Sequence, residues 1–209
     1  MINQESEMSR GRRGQILHAA LHVMAEHGFR GASIKRIAER AGLRSPALIY
    51  WYFKDKDALF EALLDEMAPF LGEVAAAEPH LDRPPERVLG QVASAFLRAL
   101  GQPDVARLAR VLLSESARHP AAAAFFARRG PLVVLGFLER YLARQVELGR
   151  LRPHDPRSAA RSFMGMLIVY VLGHEIFPDV AAGFPPAETY AGQVVALFLE
   201  GLRPTVAER

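Results

Sequence analysis

The sequence predicts an all-α protein, and three observations carry that prediction. Apolar residues recur three and four positions apart over long stretches. Prolines at Pro84-Pro85, Pro103, Pro120, Pro156 and Pro185-Pro186 each precede such a stretch. A helix tolerates proline at its start because its first amides have no intrahelical partner. No segment alternates apolar and polar residues for long enough to make a strand, and no internal repeat is present. In order, these signals give a three-helix N-terminal domain over 10–56 and a helical remainder over 57–209, about nine helices in all.

The first helix opens at Arg10, Arg12 and Arg13 and runs to about His27, with Ile16, Leu17, Ala20, Leu21 and Met24 as its apolar stripe and Gly28 ending it. Arginines in a first turn oppose the helix dipole, so they gain more from an anionic neighbour than from the helix itself. His22 and His27 read as surface or packing residues, because no partner histidine or acid pair stands at metal spacing nearby. No metal and no cofactor is expected. Ser33 caps a second helix built on Ile34, Ile37, Ala38 and Ala41, and Gly42 supplies the backbone freedom that its end needs. Ser45-Pro46 then starts a short helix over 45–52. Its Leu48, Ile49, Tyr50, Trp51, Tyr52 and Phe53 are apolar or aromatic around most of the circumference. Such a helix is normally buried, yet Lys35, Arg36, Arg40 and Arg44 precede it and Lys54 and Lys56 follow it. That setting suits an element half in a core and half in a DNA groove. Leu48 or Ile49 and Phe53 are expected to face inward, and Trp51 and Tyr52 outward.

Asp55 caps a long helix that carries Leu59, Phe60, Leu63 and Leu64, and Pro69 predicts a kink or break in it. Further helices are expected at about 84–101, 103–118, 120–149, 155–177 and 186–202. The stretch 159–177 is apolar on nearly every face, while 190–202 carries a stripe of Tyr190, Val194, Leu197, Phe198 and Leu202. These two helices either complete their own core or also meet a second copy. For the second case the expected contacts are Phe163, Leu167, Val171, Val194 and Phe198.

The 209 residues suffice for a proper core, and the absence of cysteine excludes disulfides and thiolate metal sites. The first ten residues are polar, and the longest apolar run, 163–173, falls short of the ~20 residues of a membrane span. A cytoplasmic protein with no membrane partner is expected. Residues 1–56 hold ten Lys or Arg against five acids, including every lysine of the chain. A basic head on a near-neutral body points to a polyanion for the head alone, although a solvated helix face can carry such an excess.

From Arg12 to Leu64 the chain resembles the N-terminal DNA-binding domain of the TetR family of bacterial transcription regulators. The resemblance is carried by Ile16, Ala20, Gly28, Phe29, Ser33, Ile34, Ile37, Ala38, Ala41, Gly42, Tyr50, Phe53, Lys56, Leu59 and Phe60. Eight steps separate Gly42 from Tyr50 where the usual family pattern has seven, so the turn or the start of the third helix carries an extra residue. The resemblance implies a dimeric repressor that leaves a palindromic double-stranded DNA operator when a small effector binds. Arg13, Ser33, Lys35, Tyr50 and Lys56 would then meet phosphates, and Arg44, Ser45, Ala47, Leu48, Trp51 and Tyr52 would meet base edges. An apolar effector would be held in the body, with Phe96, Leu100, Arg110, Ser114, Phe137, Tyr141, Tyr170 and His174 as candidate contacts. A second reading is an all-α enzyme or carrier with a basic head. Against an enzyme, the chain has no HExxH, no nucleophile elbow and no phosphate-cradling glycine loop. A third reading keeps DNA binding in an activator or chromosome-organising factor.

Overall fold

Among the described residues every regular element is a helix. The structure is a computed structural model that describes residues 2–66, 80–115, 124, 127–128 and 130–204. The expected kink at Pro69 lies outside them. In chain order the elements are α1 (Ile2–Gly31), α2 (Ile34–Arg40), a 3-10 helix (Pro46–Trp51), α3 (Lys56–Glu66), α4 (Pro85–Leu100), α5 (Pro103–Glu115), α6 (Pro131–Glu147), α7 (Pro156–Glu175), α8 (Pro178–Ala181) and α9 (Ala187–Glu200). Four of the five later helices expected from proline and periodicity stand at nearly the expected positions. For 120–149, the part over 131–147 is the described helix. No described helix is long and apolar enough to cross a membrane.

By packing, the chain forms two compact units, residues 1–67 with 103–127 and residues 68–102 with 128–209. The first unit takes in α3 and α5 as well as residues 10–56. Leu59, Phe60 and Leu63 of α3 and Leu108 and Val111 of α5 share one core with Ile16, Leu17, Leu21 and Met24 of α1.

In the first unit α1 passes the expected stop at Gly28, where φ is +68°, and a last turn follows the bend. That bend drops Phe29 against Phe60, ring centroids 5.1 Å apart. The Lys56 ammonium lies 4.5 Å from the Phe29 ring centroid and donates to the Phe29 carbonyl at 2.8 Å. α2 starts at Ser33, whose hydroxyl accepts from the Arg36 amide at 3.2 Å. It ends on Gly42, at φ +65°, with the Gly42 amide donating to Glu39 and the Leu43 amide to Ala38. This pair of bonds is the Schellman arrangement, and its left-handed residue favours glycine.

The second unit packs α4, α6, α7 and α9 around Val88, Leu89, Val92, Phe137, Leu138, Tyr141, Phe163, Leu167 and Phe198. α7 is capped by Asp155, which accepts from the Ser158 amide at 2.9 Å. The turn before α4 is tied to α6 by buried polar groups. The Tyr141 hydroxyl donates to the Arg83 carbonyl at 2.7 Å, and the Gln145 amide donates to the Leu81 carbonyl at 2.6 Å.

The residues expected to contact a second copy lie in or against this core. Phe163, Leu167, Val194 and Phe198 are buried in the unit's own core and Val171 is half-buried. An all-round apolar helix has two apolar faces, and those side chains take the inner one. The outer faces expose Ile168 and Val169 on α7 and Leu197, 70% exposed, on α9.

Candidate nucleic-acid interface

The candidate interface is the turn from α2 into the 3-10 helix. Ser45 opens that helix by accepting the Ala47 amide at 3.2 Å, with Pro46 in its first turn. The Leu48 amide then donates to the Ser45 carbonyl and the Tyr52 amide to the Ile49 carbonyl, each three residues back. A 3-10 helix has three residues per turn, so side chains three apart eclipse. Ile49, fully buried, is therefore followed on the same edge by Tyr52, which is half-buried against the core, and Phe53 is buried beside them. The Tyr52 and Phe53 rings lie 6.5 Å apart. The other edges turn outward with Ala47, Tyr50 (54% exposed) and Trp51 (81% exposed). The inward positions are those expected of Ile49 and Phe53. The outward aromatics are Trp51 and Tyr50 rather than Trp51 and Tyr52.

The basic residues around this edge divide in two. Lys35, Arg44 and Lys54 are exposed. Ser33 is exposed at the start of α2, and Ser45 and Leu48 are half-buried. Arg36 and Arg40 are exposed as well, but they and Lys56 make bonds within the unit. Lys56 holds the end of α1, Arg36 donates to the Gly31 carbonyl at 2.8 Å, and Arg40 pairs with Glu26 at 2.8 Å. The Arg13 guanidinium stands 5.4 Å from the centroid of the Phe53 ring, which joins the start of α1 to the end of the 3-10 helix. The extra residue between Gly42 and Tyr50 falls in a segment whose two ends are both capped, by the Gly42 turn and by Ser45.

Of the residues expected to hold an effector, Phe96, Leu100, Phe137, Tyr141 and Tyr170 pack in or against the core of the second unit. Tyr170 and His174 belong to an aromatic cluster with Phe184 and Tyr190, Tyr170 lying 4.3 Å from His174, 5.3 Å from Phe184 and 4.7 Å from Tyr190 between centroids. Phe184 was not singled out by sequence reasoning, because it stands before two prolines rather than in a periodic stripe, and Tyr190 was read as part of the 190–202 stripe rather than as an effector contact. Gly173 marks the cluster, since a Cβ there would meet the Phe184 ring at 2.9 Å. Arg110 is exposed in the first unit, and the side chain of Ser114 lies outside those described.

One further cluster was missed. His18 precedes His22 by four residues and so shares its face of α1, and Asp104 reaches both from α5. Burial, reinforced by Arg107 and His18, lowers the pKa of His22. The acid that completes this group is 82 residues distant in sequence, beyond any local spacing rule.

Residues 16–63 match the family model described as bacterial regulatory proteins, tetR family. Residues 87–200 match an AefR-like transcriptional repressor C-terminal domain. The HTH-type transcriptional repressor AcnR of Corynebacterium diphtheriae is 43% identical over 65 residues, 31% of this chain and 34% of that protein, so the curated relative is matched over about a third of its length. Over nearly the whole chain the fold is that of the SmeT–triclosan complex, SmeT being the repressor of a Stenotrophomonas maltophilia multidrug efflux pump. Its TM-score is 0.74 at 20% identity, with 95% of each chain covered. AibR bound to isovaleryl coenzyme A and operator DNA has a TM-score of 0.66 at 24% identity, covering 89% of this chain and 97% of that one. With one family model on the capped head and a second spanning more than half of the sequence, the chain belongs to the TetR family of bacterial regulatory proteins.

Proposed function

We propose that the chain is a homodimeric transcription repressor that holds double-stranded operator DNA through residues 10–56. It is released when a small apolar effector binds within 57–209. The observation that carries this reading is the pair of exposed aromatics, Trp51 and Tyr50, on a capped helix beside exposed Lys35, Arg44 and Lys54. Cations suit phosphates, while Ala47 and the aromatic rings suit base edges and thymine methyls. Ser33, Ser45 and Leu48 border that edge, whereas Lys56, Arg13 and Tyr52 support it from within. The effector reading draws on the ligands named for SmeT and AibR, and the DNA reading on the operator named for AibR.

In this reading two copies meet through the outer faces of α7 and α9, where Ile168, Val169 and Leu197 stand among the exposed small residues Gly165, Gly192 and Ala196. Small residues let helices approach closely, and apolar neighbours supply the buried area. A two-fold dimer reads a roughly palindromic operator with half-sites about one helical turn, or a multiple of it, apart. By linkage, an effector that weakens DNA binding is itself bound more weakly by the DNA complex, by the same factor. The protein regulates and performs no catalysis of its own.

Trp51 is the only tryptophan and reports on the test directly. Its fluorescence should change on adding DNA from upstream of the protein's own gene, and change much less with unrelated DNA at raised salt. An unchanged spectrum with both DNAs would defeat the reading.

A further inference from the structure

We propose that His18, His22 and Asp104 form a binding site for one divalent first-row transition-metal ion of the zinc class, joining α1 to the first turn of α5. The site lies wholly within the first unit and does not depend on DNA or effector binding. His18 and His22 are one turn apart on α1, their rings 4.5 Å apart and tilted by 53°. Asp104, the second residue of α5, brings a carboxylate oxygen to 3.7 Å from His18 Nε2. One donor atom from each of the three lies within 4.8 Å of the other two.

Two imidazoles and one carboxylate are a donor set that suits zinc and its neighbours and leaves a fourth position for water. Metal–ligand bonds of about 2.0–2.2 Å at tetrahedral angles put donors roughly 3.3 Å apart, so the widest pair must close by about 1.5 Å. The side chains of His18 and Asp104 are 62% and 39% exposed and can rotate to do so. A positively charged side chain stands beside this position. Arg107, one turn beyond Asp104 on α5, rests its Nη1 against both ring nitrogens of His22, 2.6 Å from Nε2. A guanidinium carries no lone pair for a metal and repels one, so Arg107 competes with the ion for His22. Loading the site thus requires Arg107 to swing away, and it replaces an α1–α5 contact made by one cation with a contact made by another. α5 begins where the chain returns to this unit from the other, at residue 103. The ion would fix that point of re-entry on α1.

The test uses untagged, chelator-treated full-length protein, dialysed to equilibrium against zinc chloride at neutral pH. The expected result is one zinc per chain. His18→Ala and Asp104→Asn, both at exposed or half-exposed positions, should weaken binding by more than the about 10- to 100-fold that loss of an outer-shell partner costs. Arg107→Ala should strengthen it, an outcome that a merely structural cluster does not predict. Cobalt(II) in place of zinc should give the visible absorption of a tetrahedral site in the wild type and lose it in His18→Ala. The proposal is overturned if the wild type binds no zinc at micromolar concentrations, or if stoichiometry and affinity survive both His18→Ala and Asp104→Asn. It is equally overturned if Arg107→Ala binds no more tightly than the wild type.

Discussion

Tyr50 and Tyr52 are two residues apart and chemically identical, but the 3-10 turn sets them on different edges, so replacing each by alanine should have opposite consequences. Tyr52 eclipses the fully buried Ile49 and is itself half-buried against the head core. Full removal of a buried aromatic costs about 3–5 kcal/mol, so half-burial scales that to about 1–2 kcal/mol for Tyr52→Ala. For a chain of this size that corresponds to a fall in Tm of about 2–8 °C. Tyr50 is 54% exposed, and Tyr50→Ala should change stability by no more than about 0.5 kcal/mol. Operator affinity should reverse the order at equal folded fraction, with Tyr50→Ala weakening binding and Tyr52→Ala altering it little once the protein is folded. Thermal melts by circular dichroism and anisotropy of labelled operator DNA measure the two quantities on the same samples. The reasoning is refuted if Tyr50→Ala destabilises as much as Tyr52→Ala, which would mean that the segment turns with the α-helical rather than the 3-10 period.

Tyr141→Phe removes the hydroxyl that satisfies the Arg83 carbonyl and should cost about 1–3 kcal/mol in urea denaturation, with no change in operator affinity at equal folded fraction. Leu197→Glu places a charge on the exposed face of α9 and should shift sedimentation from dimer to monomer while each chain keeps its helical signal. The hydrogen bonds from Ser158 hold the Asp155 carboxyl below its usual pKa, so its cap is present above the ordinary carboxylate value and is lost as pH falls through the depressed one. Thermal stability measured against pH should therefore drop below about pH 4, and less so in Asp155→Asn, which keeps an acceptor at the cap. Counting Arg12, Arg30, Lys35, Arg36, Arg40, Arg44 and Lys54 as the head's exposed cations, fourteen per dimer, log K against log salt should have a slope no steeper than about −13.

The helices were legible because proline, capping residues and apolar spacing act locally, and each expected start beyond α3 that falls among the described helices was marked by a proline. The turn was legible for the same reason, since Ser33, Gly42, Ser45 and Pro46 each perform the role that their chemistry suggests. What failed depended on information that is not local. Sequence spacing did not show that Pro46–Trp51 takes a 3-10 turn, and Tyr52, expected outward, is half-buried against the head core beside Ile49 and Phe53. The side of α7 that faces inward could not be read from a helix apolar all round, and Phe163 and Leu167 proved to be core while Ile168 and Val169 were left outside. α5 joined the first unit through Leu108 and Val111, far along the chain from the helices that it covers, and that pairing is also what brings Asp104 to His18.

The basic head shows why a charge count overstates what is available to a polyanion. Ten cations in residues 1–56 suggested a uniformly basic surface, yet Arg36, Arg40 and Lys56 are engaged in closing the unit on itself. Lys56 stabilises the bend at Gly28 by meeting a carbonyl and an aromatic face at once, so its ammonium is held at that bend. Arg13 spends its guanidinium face on Phe53 in the same way. Of the exposed cations, Lys35, Arg44 and Lys54 flank the 3-10 helix, and so Tyr50 and Trp51, on both sides along the chain. The bonds that Arg36, Arg40 and Lys56 already make within the unit shift part of the burden of affinity from phosphate neutralisation toward contact by those two rings. For that reason the discriminating substitutions in this head are aromatic rather than basic.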